Sequence, residues 1–329
     1  MMAPSAQAAP GRYAAIDLGT VTCRMLVADI DAHGALREVR REYDIVNLGE
    51  GVDASGRLAR DAMARAVATI ARYRGIAEAS AADGPDPSGS SGVPRIVAFA
   101  TSAARDAANA GELVSALAEE GVALQVIPGE REAALSFAGA SMDFPGEDLL
   151  VVDVGGGSTE VVAGRAGCAP ARAHSFNVGC RRMTERFLAG DPPAADELEA
   201  GRAWVRRELS PYFERLRADG ISWGRVVAVA GTATTAVSVR EGMEDYDSSR
   251  VHGYTMEAAV LAEELSRLAS LPLARRRDVV GLDPRRAPVI VAGLAILAEV
   301  LDLAQVGSYT ASETDILHGA IMAAARGEW

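Results

Sequence analysis

The feature that most constrains this chain is a strand–turn–strand unit that occurs twice. Tyr13 to Asp17 is a short apolar run that ends in Asp17-Leu18-Gly19-Thr20, and the apolar pattern resumes from Arg24 to Asp29. At Asp153, 136 residues further on, the pattern returns. Leu149-Leu150-Val151-Val152-Asp153 runs into Val154-Gly155-Gly156-Gly157-Ser158, and Thr159 to Ala163 follows as the next strand. That interval is close to half of the 329 residues, as an internal duplication of one folding unit requires. Leu36 to Leu48 continues the first unit as strand. Helical spacing over Arg57–Glu78, Asn109–Glu120 and Glu130–Met142 then alternates with apolar strands at Arg95–Ala100 and Val122–Ile127. The second half adds helices near Gly179–Leu188 and Ala194–Ala218, a strand Arg225–Ala230, and helices Thr232–Arg240, Thr255–Ala269 and Pro288–Leu303. Alternation of this kind predicts α/β layers. The expected division is a small polar tail over 1–11, domains over 12–140 and 141–311, and a terminal helix within 312–329 able to pack back on the first domain. Ala79 to Pro94, rich in Ala, Ser, Gly and Pro, reads as a mobile surface loop.

Composition removes several chemistries. The 45 acidic residues outnumber the 33 basic ones, for a formal charge of −12, and every basic residue is arginine. Without lysine there is no Walker-A loop, no Schiff base to pyridoxal phosphate and no protein-kinase strand lysine. An acidic chain is also a poor match for nucleic acid, although a local arginine cluster can still bind a small anion. Cys23, Cys168 and Cys180 form no pair motif and read as reduced thiols of a cytoplasmic protein, with Cys23 as a buried strand residue. The four histidines lack metal-ligand spacing. Ala287 to Ala304 is the most apolar run, but Glu299 and Asp302 interrupt it, so it reads as a buried helix and not a membrane span.

The repeated turns are where chemistry concentrates. An Asp-x-Gly turn between strands presents consecutive backbone N–H groups, and glycine lets that backbone approach an oxyanion closely. Asp17 and Asp153, at strand ends, are placed where Mg²⁺ can bridge carboxylate and phosphate oxygens. Most single Asp-x-Gly turns only reverse the chain; two at the same point of a repeated unit argue for more. A third element, Val229-Ala230-Gly231-Thr232-Ala233-Thr234, puts helix N-terminal amides after a strand, which suits an anion or simply a capped helix. Glu130 and Glu132 open a helix, where the helix dipole alone favours carboxylates. The groups Arg181-Arg182, Arg275-Arg276-Arg277 and Arg285-Arg286 read as solvated faces, with a polyanion path as the alternative.

Taken together these motifs resemble the exopolyphosphatase / guanosine pentaphosphate phosphatase (Ppx/GppA) family of the actin-like ATPase superfamily, in its short two-domain form. The likeness runs from about Tyr13 to the end. Ala15-Ile16-Asp17-Leu18-Gly19-Thr20 resembles the family's first phosphate loop, and Val152-Asp153-Val154-Gly155-Gly156-Gly157-Ser158-Thr159-Glu160 its second. Ala100-Thr101-Ser102-Ala103-Ala104-Arg105-Asp106-Ala107 is similar to the segment that carries a phosphate-facing arginine. Ile127-Pro128-Gly129-Glu130-Arg131-Glu132-Ala133 is similar to the segment that ends in the catalytic glutamate, which falls on Glu132 and not Glu130. Two positions depart from the pattern: Val21-Thr22 stands where the family has Asn and Ser, and Leu317-His318-Gly319 replaces a Leu-Arg-Glu-Gly run.

The resemblance implies two ribonuclease-H-like domains with an active site in the cleft between them, and Mg²⁺-dependent (or Mn²⁺-dependent) hydrolysis of a terminal phosphoanhydride. Inorganic polyphosphate or guanosine pentaphosphate is the implied substrate, with nucleic acid and membrane excluded and a homodimer left open. By the same resemblance Glu132 and Arg105 are catalytic. Gly19, Thr20, Thr22, Arg24, Gly155, Gly156, Gly157, Ser158, Gly231 and Thr232 bind phosphate, and Asp17, Asp153 and Glu160 hold the metal. The rival readings are a small-molecule kinase or ATPase of the same superfamily, and a non-catalytic filament protein or nucleotide sensor.

Overall fold

The computed structural model describes residues 8–80 and 94–329. They form two compact units, one of residues up to Pro128 together with Ile316–Trp329, the other Gly129–Asp315.

The first unit is built on five strands: β1 (Gly11–Leu18), β2 (Thr22–Ile30), β3 (Leu36–Ile45), β4 (Arg95–Ala100) and β5 (Leu124–Val126). Their order is β3-β2-β1-β4-β5, antiparallel from β3 to β1 and parallel from β1 to β5. β1 is buried along its whole length because both faces of the sheet are covered, which is why it reads as an unbroken apolar run. One face, with Ala14, Ile16, Met25 and Val27, packs on Ile70 and Tyr73 of the Arg60–Ala79 helix and Leu113 of the Ala110–Glu119 helix. The other face of β1 meets the terminal helix Ile316–Ala325. The Trp329 ring beyond that helix lies 5.5 Å from Phe99 of β4.

The second unit repeats the plan. Its strands are β6 (Asp148–Val154), β7 (Thr159–Arg165), β8 (Arg172–Phe176), β9 (Arg225–Val229), β10 (Thr255–Glu257) and β11 (Ser308–Ala311). The order β10-β11-β9-β6-β7-β8 contains, from β8 to β11, the same succession as β3 to β5, with β10 added antiparallel at the edge. Both sheets therefore have the ribonuclease-H-like order of the actin-like ATPase fold. One face carries the large core of Leu150, Val152, Val161 and Ala228 against the Ala195–Ala218 and Ile290–Ala304 helices. The other face, with Leu149, Val151 and Val162, packs on Ala133, Phe137 and Ala140 of the Gly129–Ala140 helix.

That last packing moves the boundary. The units divide at Pro128/Gly129, earlier than the 140/141 expected from sequence, because the Gly129–Ala140 helix buries its apolar side on the second sheet. The terminal helix starts at Ile316 and not Ser312, because the chain first turns out of β11, with Thr314 N–H donating to Ser312 Oγ at 3.1 Å. Likewise the helix expected from Thr255 begins at Ala258, after β10. The tail expected over 1–11 is corrected at its end: Ala9 N–H donates to Ala325 O at 2.8 Å and Gly11 opens β1. Residues 1–7, and 81–93 of the expected loop, lie outside the described residues. The apolar Ile290–Ala304 run is a buried helix, and among the described residues no helix is long and apolar enough to cross a membrane.

Candidate active site

The two repeated turns close in the same way. Gly19 N–H donates to Thr22 O at 2.8 Å, and Gly155 N–H donates to Ser158 O at 3.0 Å. A Cβ on either glycine would sit 3.2 Å from that carbonyl oxygen, a tight contact that favours glycine at both turns for the same close approach.

In the first unit the turn's carbonyls are taken up from behind. Thr20 O accepts from Gly49 N–H at 2.8 Å, and Val21 O accepts from Val46 and Asn47 N–H at 3.0 and 2.9 Å. A trans peptide points its N–H opposite to the preceding carbonyl, so the amides of Val21 and Thr22 face away from the 46–49 segment. Val21 itself is buried and acts as the anchor of that segment. Asp17 and Arg24 are cross-strand partners on β1 and β2, and Arg24 Nη2 donates to Asp17 Oδ2 at 2.6 Å. The Asp17 carboxylate, expected as a metal ligand, is thus engaged by a guanidinium. Arg105 ends the Ser102–Asp106 helical turn, half-buried, and its Nη1 donates to Ile127 O at 3.2 Å.

In the second unit the glycine loop is backed by a helix. Gly155 O and Gly156 O accept from Cys180 and Arg181 N–H, each at 2.9 Å, at the start of the Cys180–Phe187 helix. Arg182 Nε donates to Gly157 O at 3.1 Å. With those three carbonyls turned to the helix, the amides of Gly156, Gly157 and Ser158 point the other way, as an anion-binding nest requires. Gly179 makes this approach possible, because a Cβ there would overlap the Gly156 carbonyl. The third expected element joins the loop through Thr232, whose Oγ1 donates to Val154 O at 3.0 Å. Ala230, with φ of 62°, turns the chain from β9 into the helix that carries Gly231 and Thr232. Left-handed backbone at a residue with a Cβ costs about 1–2 kcal/mol, a strain typical of functional turns.

The acidic groups lie in one row across β6 and β7. Asp153 and Glu160 are cross-strand partners, so their side chains share the face covered by the Gly129–Ala140 helix. That helix brings Glu132, which is 7% exposed, whereas Glu130 is exposed. Glu160 is buried, and burial pushes its carboxyl well above the usual range. Glu132 and then Asp153 push it further, against the hydrogen bonds from Ser175 and Ser158. Among the described residues no three His, Cys, Asp or Glu side chains are gathered closely enough to form a metal site by themselves.

Three participants escaped sequence reasoning. Ser136 Oγ donates to Asp153 Oδ2 at 2.8 Å, and Ser175 Oγ donates to Glu160 Oε1 at 2.6 Å. Ser136 is four residues after Glu132, one turn along the same helix face, a spacing that was open to inspection. Arg286 lies against Gly231, where a Cβ would overlap its guanidinium. Two of the arginine groups are accordingly not solvated faces: Arg182 and Arg286 sit at the second loop and the Gly231 turn. In the third, Arg276 is buried and donates to the carbonyls of Leu268, Leu271 and Ala287.

The profile of the Ppx/GppA phosphatase family matches residues 26–326. The chain belongs to the Ppx/GppA phosphatase family. Exopolyphosphatase 2 of Mycobacterium tuberculosis is 36% identical over 94% of this chain and 97% of its own length. Among solved structures, an exopolyphosphatase from Cytophaga hutchinsonii superposes with a TM-score of 0.84 at 25% identity, covering 96% of this chain and 98% of that one. The Aquifex aeolicus Ppx/GppA family member gives 0.78 at 26% identity, with 96% and 98% covered. Within the Ppx/GppA chain, one glycine turn follows β1 and the other follows β6, and the second has Asp153 and Glu160 on its flanking strands with Glu132 on the covering helix.

Proposed function

We propose that this Ppx/GppA phosphatase is an exopolyphosphatase that removes the terminal phosphate of inorganic polyphosphate and requires Mg²⁺, with Mn²⁺ as a substitute. The observation that carries the reading is the buried acidic group of Glu132, Asp153 and Glu160 beside an amide nest and the arginines Arg182 and Arg286. Glu132 and Asp153 both disfavour negative charge on Glu160, and a divalent cation would offset that repulsion. Asp153 and Glu160 would hold it, and water and phosphate oxygens would complete its coordination, as Mg²⁺ usually prefers to a full protein cage. When bound, the cation neutralises charge on the phosphoryl oxygens.

The chain's own groups do the rest. The amides of Gly156, Gly157 and Ser158 bind phosphoryl oxygens in one unit. Gly19, Thr20 and Thr22 do so in the other, where Asp17 keeps Arg24 oriented. Arg105 neutralises charge on the transferred group. Glu132 orients a water and accepts its proton as the water oxygen bonds to the terminal phosphorus. The bridging P–O bond breaks, leaving orthophosphate and a chain one unit shorter. Positioning and electrostatics supply most of the rate in such transfers. Cys23, Cys168 and Cys180 are free thiols, which supports a reducing, cytoplasmic setting.

The test is phosphate release from polyphosphate, guanosine pentaphosphate and ATP assayed side by side, with Mg²⁺ and with excess EDTA. We expect release from polyphosphate that stops with the chelator. Faster release from ATP would favour the kinase-like ATPase alternative, and release only from guanosine pentaphosphate would replace the substrate. Full activity in EDTA would remove the cation from the reading.

A further inference from the structure

Along the face of the second sheet that receives the Gly129–Ala140 helix, cross-strand register sets residues in rows. Val151, Val162 and Ala173 form one row over β6, β7 and β8, and Asp153, Glu160 and Ser175 form the next. The apolar row packs on Phe137 and Ala133, so the helix is seated immediately beside the polar row. There its Ser136, fully buried, reaches the near end of the row at Asp153 Oδ2, while Ser175 closes the far end at Glu160 Oε1. The result is a continuous line, Ser136–Asp153–Glu160–Ser175, with a hydroxyl donor at each end and two carboxylates between.

We propose that Ser136 and Ser175 are positioning residues that orient the carboxylates of Asp153 and Glu160 for a divalent cation. This rests on the cation reading given above. Each serine fixes one oxygen of its carboxylate and so sets the direction of the other. Without these donors Asp153 loses the Ser136 bond and Glu160 keeps only Ser158, so the two adjacent anionic groups are freer to turn apart and a cation must first bring them back together. Ser136 has a second consequence. Because it stands one helical turn from Glu132, its bond to Asp153 fixes the base and the cation-binding carboxylate in a single register. Partners that orient metal ligands are typically worth about 10–100-fold in metal affinity.

The experiment uses the full chain with Mn²⁺ alone as probe, free Mn²⁺ being read by electron paramagnetic resonance and folding by thermal melting. We expect Ser136→Ala and Ser175→Ala each to weaken Mn²⁺ binding about 10-fold or more while melting stays close to wild type. Ser136→Thr, which keeps the hydroxyl, restores most of the affinity. With Mg²⁺ and polyphosphate, the concentration of cation for half-maximal rate rises in the alanine variants, whereas kcat at saturating cation falls less. Mn²⁺ affinity unchanged in both alanine variants overturns the proposal and leaves the cation reading standing. A wild-type chain that takes up no Mn²⁺ overturns both.

Discussion

The turn of the first unit and the turn of the second are the same backbone device with opposite neighbours. Each begins with an aspartate on the first strand of its sheet and closes on a glycine amide. The residue paired across from the aspartate differs: Arg24 faces Asp17, and Glu160 faces Asp153. One swap of charge at one register position turns an internally neutralised pair into a buried like-charge pair. The duplicated fold supplies the amides twice, and the substitution gives the two copies different work. In the first a guanidinium meets the carboxylate, while in the second two carboxylates face each other across the strands.

The largest effect expected from breaking this asymmetry is at the base. Glu132→Gln should lower kcat by ~10²–10⁴ with KM for polyphosphate little changed, the usual worth of a positioned base. Glu130→Gln, two residues earlier and exposed, should turn over nearly as wild type. A dead Glu130 variant beside an active Glu132 variant would reverse the assignment.

Next comes the pair in the first turn. Arg24→Ala leaves Asp17, which is 4% exposed, without its guanidinium. Removing one partner of a buried pair costs about 3–5 kcal/mol, and the residual exposure of Arg24 puts the expectation at the lower end. The matched change in the second turn, Glu160→Gln, should go the other way: activity is lost but resistance to urea is kept or slightly raised, because a repulsion is removed. If both variants lose comparable stability, the two turns are not the electrostatic opposites described here.

Much of this was legible from the sequence. The two Asp-x-Gly turns and their spacing needed only periodicity and glycine chemistry, and the family resemblance singled out Glu132, which is buried, over Glu130, which is exposed. What escaped had weak local signal. β8 reads Arg-Ala-His-Ser-Phe, short and half polar, yet Ser175 on it completes the acidic row. β11 is four residues long and falls between two helical patterns, in a stretch to which periodicity assigns no element. The unit boundary fell late because helix periodicity does not say which sheet receives a helix. Arg286 and Arg276 looked like surface charge since sequence records their charge and not the carbonyls and glycine they meet in the fold.

The smallest expected effect concerns how each covering helix is pinned. In the second unit Ser136 ties the Gly129–Ala140 helix to β6; in the first, buried His318 of the Ile316–Ala325 helix contacts Glu38 of β3, with Nε2 to Oε1 at 2.9 Å. Burial alone would raise the Glu38 carboxyl, but the hydrogen bonds from His318 and Arg41 outweigh it and hold the carboxyl at about 2. A carboxylate held below its unfolded value stabilises the fold above that value and loses the contribution as pH falls toward 2. With Glu38 still 43% solvent-exposed at its side chain, screening limits the gain to about 1 kcal/mol or less. Glu38→Gln should therefore be slightly less stable than wild type at neutral pH, and the gap should close between about pH 4.5 and 2. Urea unfolding at pH 7, 4 and 2.5 measures it. A gap that stays constant over that range would mean that the helix is held by packing on β1 and by Trp329 on Phe99, and not by the ionised carboxylate.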